Sequence, residues 1–137
     1  MVVLDASVVL KWAFRDEAGA AQALEWRERH RAGIELAAVP ELLFYEAANA
    51  IVWSGRLTAE QAEAAWDGLL AVDLHVYSLR SHGMLRAMEL ARLAKAAVYD
   101  TCYVALAEEL GCDFVTADRK LAKKLEKIET RCAVRTL

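Results

Sequence analysis

Apolar positions along the chain fall into short unbroken blocks separated by longer stretches with helical spacing. The first block, Met1 to Asp5, is apolar and mostly β-branched up to its last residue, a pattern typical of a strand buried on both faces. Similar blocks recur along the chain, each after a stretch of helical character. Strands are predicted at residues 1–5, 34–39, 74–77, 113–115 and 132–135.

The stretches between these blocks predict helices. Pro40 suits a first helical turn and is expected to open a helix that runs to Trp53. Thr58 and Gln61 form a capping-box pattern, which predicts another helix start. The predicted helices cover residues 7–14, 18–32, 40–53, 58–70, 79–95 and 99–110, with a lysine-rich helix from residue 117 or 118 onward. Strands that alternate with helices predict an α/β fold around a mostly parallel sheet.

Size and composition set the class of protein. A chain of 137 residues predicts a single domain, residues 1–137, with one sizeable core. The apolar stretches are too short to cross a bilayer, and the N-terminus lacks the pattern of a secretory signal, so we expect a cytoplasmic protein with no membrane partner. The odd number of cysteines and the lack of a CxxC pair argue against a disulfide framework. The cysteines, expected to be small buried hydrophobes, are Cys102, Cys112 and Cys132.

Net charge alone argues against a nucleic-acid partner, because the chain carries −3 at neutral pH. The basic residues nevertheless form two groups. The first, expected to be a solvated helix face, contains Arg27, Arg29 and Arg31. The second directly follows Asp118 and stays open as a candidate for phosphate contacts; it contains Arg119, Lys120, Lys123, Lys124 and Lys127.

Four acidic residues occupy unusual positions. Asp5 ends the first strand, and Glu46 lies in an otherwise apolar, small-residue helix. Asp100 and Asp118 lie near predicted helix starts, where capping alone could explain a carboxylate. Sites in open parallel sheets form at the carboxyl ends of the strands, so these acids are expected to converge. Converging carboxylates without a basic partner must either have raised pKa values or share a cation.

The kind of cation follows from the donor atoms. Carboxylate oxygens without a cluster of histidine or cysteine suit Mg²⁺ or Mn²⁺ rather than zinc. The three histidines, His30, His75 and His82, show no spacing typical of zinc ligands. The sequence therefore predicts a hard divalent ion shared by the four acids.

Four segments carry a family resemblance: "VVLDASVVLKW", "PELLFYEAANAI", "YDTCYVALAEELG" and "FVTADRKL". In order and spacing they resemble the four acidic motifs of the PIN domain, specifically its VapC-type toxin branch. The "SGRLT" segment is also similar to the linker of that family. The resemblance implies a PIN-like three-layer α/β/α sandwich and an endoribonuclease that depends on Mg²⁺, with Mn²⁺ as a substitute. It also implies a homodimer and inhibition by a cognate VapB-type antitoxin.

Individual residues can then be assigned roles. Asp5 and Asp100 are expected to be the central metal ligands, because a strand end and a helix start are rigid mounts. Glu46 and Asp118 are expected to complete the shell, partly through waters, or one of them to orient the attacking water instead. Two hydroxyls, of Ser7 and Thr116, are expected either to support a ligand carboxylate or metal-bound water, or to cap a helix. Flanking RNA phosphates are expected to contact Arg119, Lys120 and Lys123.

The four tryptophans could in principle stack on bases. Trp12, Trp53 and Trp66 have apolar neighbours and are expected to pack in the core or an interface, whereas Trp26 is expected to be the most exposed.

Other classes of protein fit less well. A receiver-type signalling domain needs adjacent acids after its first strand, and Asp5 has no acidic neighbour before Asp16. A phosphatase of the haloacid class needs an Asp-x-Asp start, which "DAS" lacks. The remaining alternative is a catalytically silent PIN-like fold that serves as an RNA-binding or scaffold module.

Overall fold

A computed structural model describes all residues from 1 to 137. Five strands and seven α-helices alternate along the chain, and a 3₁₀ turn over Leu10–Trp12 follows the first helix. The strands are β1 (Val2–Leu4), β2 (Ala37–Pro40), β3 (His75–Tyr77), β4 (Asp113–Thr116) and β5 (Val134–Thr136). The helices are α1 (Ala6–Val9), α2 (Ala20–Arg31), α3 (Leu42–Trp53), α4 (Ala59–Leu70), α5 (Ser81–Ala94), α6 (Val98–Leu110) and α7 (Arg119–Leu125).

The strands form one fully parallel sheet in the order β3-β2-β1-β4-β5, which confirms the predicted α/β class. The central strand β1 pairs Val2 with Ala37 on one side and with Asp113 on the other. All five carboxyl ends therefore lie at one edge of the sheet, which we call the carboxyl edge. Residues that directly follow β1 and β4 in sequence meet at this edge.

Two layers of helices cover the sheet. The chain moves from β1 towards β3 through α1 to α4, then returns over the sheet to β4 and β5 through α5 to α7. Because crossovers between parallel strands are right-handed, the two directions of travel place these helices on opposite faces. Helix α6 packs against β1, β2 and β4, and α5 packs on α6. The arrangement is the expected three-layer sandwich.

The core consists mainly of β-branched and small residues from the sheet and from α6. Every residue from Thr101 to Ala107 is buried, so α6 is enclosed around its whole circumference through most of its length. Tyr103 and Phe114 are the largest side chains that are fully buried. The buried Trp12 indole N–H donates to the Ala23 carbonyl over 2.8 Å, which satisfies its only polar atom.

A buried ion pair joins the two helices α5 and α6 to the segment before β5. Arg86 donates from Nε and Nη2 to the two carboxylate oxygens of Glu108, at 2.7 and 3.0 Å. Glu108 also accepts from the backbone N–H of Arg131. Burial alone would raise the pKa of Glu108, but the Arg86 hydrogen bonds outweigh it and hold that pKa below its usual value.

The predicted elements are all present, but several boundaries were wrong; β2, predicted from residue 34, begins at Ala37, and β5, predicted from residue 132, begins at Val134. Residues 7–14 do not form one helix: α1 has only four residues and passes into the 3₁₀ turn.

Pro40 does not open a helix; it is the last residue of β2, and α3 begins at Leu42. Pro40 is paired with Tyr77 of β3, but the N–H that donates to the Tyr77 carbonyl belongs to Glu41. A Pro40 N–H would face β1, whose pairing with β2 ends at Ala38, so its absence costs no ladder bond.

Trp26, expected to be the most exposed tryptophan, is half-buried against the core, so that prediction was wrong. Trp53 is 80% exposed at the end of α3, which excludes packing in the core of the single chain; its packing in an interface stays a prediction. Trp12 and Trp66 pack as expected. All three cysteines are free thiols; Cys102 is buried, and Cys112 and Cys132 are half-buried. None of the helices combines the length and the apolar character needed to span a bilayer.

Candidate functional site

Asp5 lies at the centre of the carboxyl edge, directly after β1. Its backbone N–H donates to the Val115 carbonyl, which extends the ladder between β1 and β4 by one residue. The residue as a whole is only 6% exposed. The side chain occupies the N-cap position of α1 but makes no capping bond to that helix. A buried carboxylate at this position is therefore not explained by helix capping.

Two hydroxyls hold the Asp5 side chain. Ser7 Oγ and Thr116 Oγ1 both donate to Asp5 Oδ2, at 2.5 and 2.7 Å. The same hydroxyl oxygens accept the backbone N–H groups of Ala117 and Asp118. This small network joins the ends of β1 and β4 and leaves Asp5 Oδ1 without a hydroxyl donor. The sequence left two roles open for Ser7 and Thr116, support of a ligand or helix capping. In the structure both hydroxyls donate to the Asp5 carboxylate.

Glu46 lies in the second turn of α3, on a half-buried face. Its Oε2 accepts a hydrogen bond from the Tyr103 hydroxyl of α6, and its Oε1 accepts none. Burial is the main cause that raises the pKa of Glu46, and the charges of Asp5 and Asp100 raise it further. The Tyr103 hydrogen bond acts in the opposite direction by stabilising the ionised form.

Asp100 and Asp118 both lie at helix starts, as predicted. Asp118 is the N-cap of α7, and its Oδ1 accepts the backbone N–H groups of Lys120 and Leu121 at 2.7 and 3.0 Å. Asp100 lies in the first turn of α6 and is half-buried. Burial raises the pKa of Asp100, and the nearby charge of Asp118 raises it further, whereas the backbone N–H of Ala97 lowers it.

The electrostatics show that these acids act on one another. Burial raises the pKa of Asp5 despite its two hydroxyl donors, and Asp100 adds to the effect. Asp5 and Asp100 both act on Glu46, and Asp118 acts on Asp100. The fold thus brings four carboxylates from α3, α6 and the ends of β1 and β4 to one edge. Burial first, and then repulsion from neighbouring acids, disfavour the ionised forms of Asp5, Glu46 and Asp100.

The donor set fits a hard divalent cation, although the side chains do not close around a single point. No group of three or more histidine, cysteine, aspartate or glutamate side chains is arranged as a compact ligand cluster. Three of the acids do share one feature: one oxygen is held by protein donors and the other is left for a further partner. The oxygens that accept from protein donors are Asp5 Oδ2, Glu46 Oε2 and Asp118 Oδ1. The oxygens that remain are Asp5 Oδ1, Glu46 Oε1 and Asp118 Oδ2. Mg²⁺ keeps several waters and tolerates such an open arrangement.

Basic side chains lie beside this acidic edge on α7. Arg119, Lys120 and Lys123 are exposed and form no ion pair. Lys124 donates from Nζ to the Lys95 carbonyl at 2.8 Å, and its charge lowers the pKa of Asp100. Since α7 begins directly after Asp118, its lysines flank the acids on the outside of the molecule.

Sequence reasoning missed two residues that contact or act on the acids. Tyr103 follows Asp100 by three positions and therefore lies on the same face of α6, a spacing that could have drawn attention to it. Lys124 was grouped with the other basic residues. Nothing in its position along the sequence indicated that its charge acts on Asp100, because α7 and α6 meet only in the folded chain.

Comparisons with known proteins agree with this architecture. The PIN domain family model matches residues 2–127. Ribonuclease VapC3 of Pyrobaculum aerophilum is 35% identical over 98 residues, which cover 66% of this chain and 72% of that protein.

Solved structures share the fold over nearly the whole chain. PAE2754 of Pyrobaculum aerophilum is 25% identical with a TM-score of 0.69, and the match covers 98% of this chain and 82% of that one. The DNA-bound VapBC structure of Salmonella typhimurium is 16% identical with a TM-score of 0.71, and the match covers 98% of this chain and 96% of that one.

Proposed function

The chain belongs to the PIN domain family, and from this premise we propose that it is a metal-dependent endoribonuclease, the toxin of a VapBC-type pair. The observation that carries the proposal is the set of four acids at the carboxyl edge, with Asp5 held by Ser7 and Thr116. The similarity to a protein named as a ribonuclease supports the substrate class. We propose the cytoplasm as its location.

Asp5, Glu46, Asp100 and Asp118 would hold one or two Mg²⁺ or Mn²⁺ ions. When bound, such ions lower the pKa of a water molecule and stabilise the charge that develops during hydrolysis of a phosphodiester. The protein's own contribution is to orient the ligands. Ser7 and Thr116 orient the Asp5 carboxylate, and the backbone N–H groups of Lys120 and Leu121 in the first turn of α7 orient Asp118.

The exposed side chains of Arg119, Lys120 and Lys123 would bind RNA phosphates on either side of the cleaved bond. Their position beside Asp118 supports this role, because it places positive charge next to the acids. The negative net charge of the chain is then no obstacle, since a bound divalent ion reverses the sign of the local field.

Two partners complete the proposal. An apolar stripe on the outer face of α5 is exposed and supports a homodimer; it contains Met84, Leu85, Met88 and Leu93. A VapB-type antitoxin is proposed as the inhibitor, in keeping with the fold shared with the VapBC structure. Light scattering of the purified chain, alone and with the antitoxin, tests both partners.

Cleavage of a mixture of structured RNAs by the purified, antitoxin-free protein tests the function. The reactions contain Mg²⁺, Mn²⁺ or EDTA and are repeated with Asp100→Asn. We expect cleavage with either metal, none with EDTA and none with the variant. Cleavage that persists in EDTA or in the variant would contradict the proposed site. A folded protein that binds RNA but cleaves none of it would favour the silent-module alternative.

A further inference from the structure

Tyr103 connects the two helices that carry Asp100 and Glu46. Its ring is fully buried at the centre of α6, and its hydroxyl reaches α3, where it donates to Glu46 Oε2. Because Tyr103 and Asp100 lie three positions apart on α6, they share one face of the helix. The hydrogen bond therefore couples the placement of Glu46 to the helix that presents Asp100.

The choice of acceptor is unusual for a structural tyrosine. A buried hydroxyl needs a partner, and a neutral backbone carbonyl would satisfy it without bringing a charge into the core. Here the acceptor is a half-buried carboxylate that two other acids already repel. Glu46 has no cationic partner in the structure, so the hydroxyl is the one protein group that stabilises its charge.

The hydrogen bond also leaves Glu46 in a definite orientation. With Oε2 on the tyrosine, Oε1 is the oxygen that remains for another ligand. Groups that orient a metal ligand from behind typically contribute a factor of about 10 to 100 in metal affinity. We propose that Tyr103 is a positioning residue that holds the Glu46 carboxylate ready for the divalent ion. This inference rests on the proposed function, because it requires that Glu46 binds the ion.

Calorimetric titration of Mn²⁺ into the RNA-free protein tests the inference without using activity. Tyr103→Phe removes one oxygen and keeps the buried ring. We expect it to weaken Mn²⁺ binding about tenfold or more. Tyr77→Phe is the matched control, since Tyr77 is a half-buried tyrosine whose hydroxyl makes no hydrogen bond, and its Mn²⁺ affinity should equal that of the unmodified protein.

A double-mutant cycle separates positioning from packing. If Tyr103 acts through Glu46, Tyr103→Phe should cause no further loss of Mn²⁺ affinity in a Glu46→Gln background. A packing role would instead lower the melting temperature in both backgrounds and leave Mn²⁺ affinity unchanged. Incorporation of 3-fluorotyrosine at position 103 retains the hydroxyl and should retain the affinity, which provides a test should the phenylalanine variant fold poorly.

The outcomes distinguish this inference from the proposed function. If the unmodified protein and Tyr103→Phe bind Mn²⁺ tightly and with equal affinity, the inference is overturned and the proposed metal site is unaffected. An equal loss of affinity in both backgrounds overturns it as well, because the effect then bypasses Glu46. No Mn²⁺ binding by the unmodified protein overturns the metal site and the inference together.

Discussion

At the scale of single residues, Asp5 combines burial with a charge and has no cationic partner. Its pKa is raised by burial and by Asp100, so ionised Asp5 destabilises the metal-free fold at neutral pH. The two hydroxyls that donate to Oδ2 reduce this cost without removing it. A divalent ion bound at Asp5, as proposed above, would offset this cost.

Replacement of Asp5 by asparagine should separate these two effects. Asparagine Oδ1 can still accept from Ser7 and Thr116, while the charge is gone. We expect the melting temperature of the metal-free protein to hold or rise, and the stabilisation by Mg²⁺ to be lost. RNA cleavage should fall by at least about a hundredfold, the order seen when a group that stabilises transition-state charge is removed. Thermal melts with and without Mg²⁺ check the first two effects, and unchanged metal stabilisation would count against Asp5 as a ligand.

Sequence reasoning at this scale succeeded where a residue's position along its own element was informative. Asp5 at a strand end and Asp118 at a helix start were predicted from local pattern, and both lie at the carboxyl edge. The exposure of Trp53 and the Tyr103 contact could not be predicted in this way. Both depend on how α3 packs against other helices, and apolar neighbours in sequence do not determine which side of a helix is covered.

At the scale of elements, the most dependable predictions of helix boundaries were those that rest on a specific pattern of hydrogen bonds between neighbouring residues. The predicted capping box of α4 is present: Thr58 Oγ1 accepts from the Gln61 N–H, and Gln61 Oε1 accepts from the Thr58 N–H. The helix predicted over residues 7–14 was wrong in its length, because the α-helical part ends at Val9. Beyond that residue, Leu10–Trp12 tightens into a 3₁₀ turn.

Loss of the cap should weaken α4 measurably. Thr58→Ala removes the side-chain acceptor of the Gln61 N–H, and we expect the free energy of unfolding to fall by about 1 kcal/mol. Thr136→Ala is a suitable control, because Thr136 is exposed and its hydroxyl makes no hydrogen bond. Urea denaturation of both variants measures the difference. An equal effect of the two substitutions would mean that the capping box contributes nothing beyond a surface threonine.

At the scale of the whole molecule, the ion pair between Arg86 and Glu108 links both helices of one face to the last segment of the chain. The pKa of Glu108 is lowered in the folded state, so the stability that Glu108 contributes is present above its unfolded pKa of about 4.3. That contribution is lost as the pH falls through the lower folded value. Removal of the Glu108 charge leaves Arg86 with only the exposed Glu89, which accepts from its Nη1 at 2.7 Å, as a charged partner.

Glu108→Gln should therefore lower stability at pH 7 by about 2 to 3 kcal/mol. The difference from the unmodified protein should shrink as the pH falls below about 4, where Glu108 becomes protonated. Denaturation at a series of pH values measures this change. Glu63→Gln serves as the control, since Glu63 is exposed and forms no ion pair. A difference that stays constant down to pH 3 would contradict the assigned cause.

The distribution of charge over the molecule leads to a prediction about RNA binding. Lys123→Ala should weaken binding modestly and reduce the slope of log K against log salt by about 1, as expected for the loss of one phosphate contact. Arg31→Ala is the control: Arg31 is exposed, forms no ion pair and belongs to the basic group on α2. Binding titrations at several salt concentrations measure both slopes. Equal slopes for the unmodified protein and Lys123→Ala would make α7 an ordinary solvated surface.

The pairing of the first strand with the fourth has a consequence for how the protein is made. Asp5 is synthesised 111 residues before Thr116, the residue that supports it, and Asp118 follows two residues later. A nascent chain cannot complete the acidic edge, because the central strand lacks one of its two partners until β4 has emerged. The candidate site can therefore form only after β4 has been made, and we expect a nascent chain that stops before β4 to lack nuclease activity.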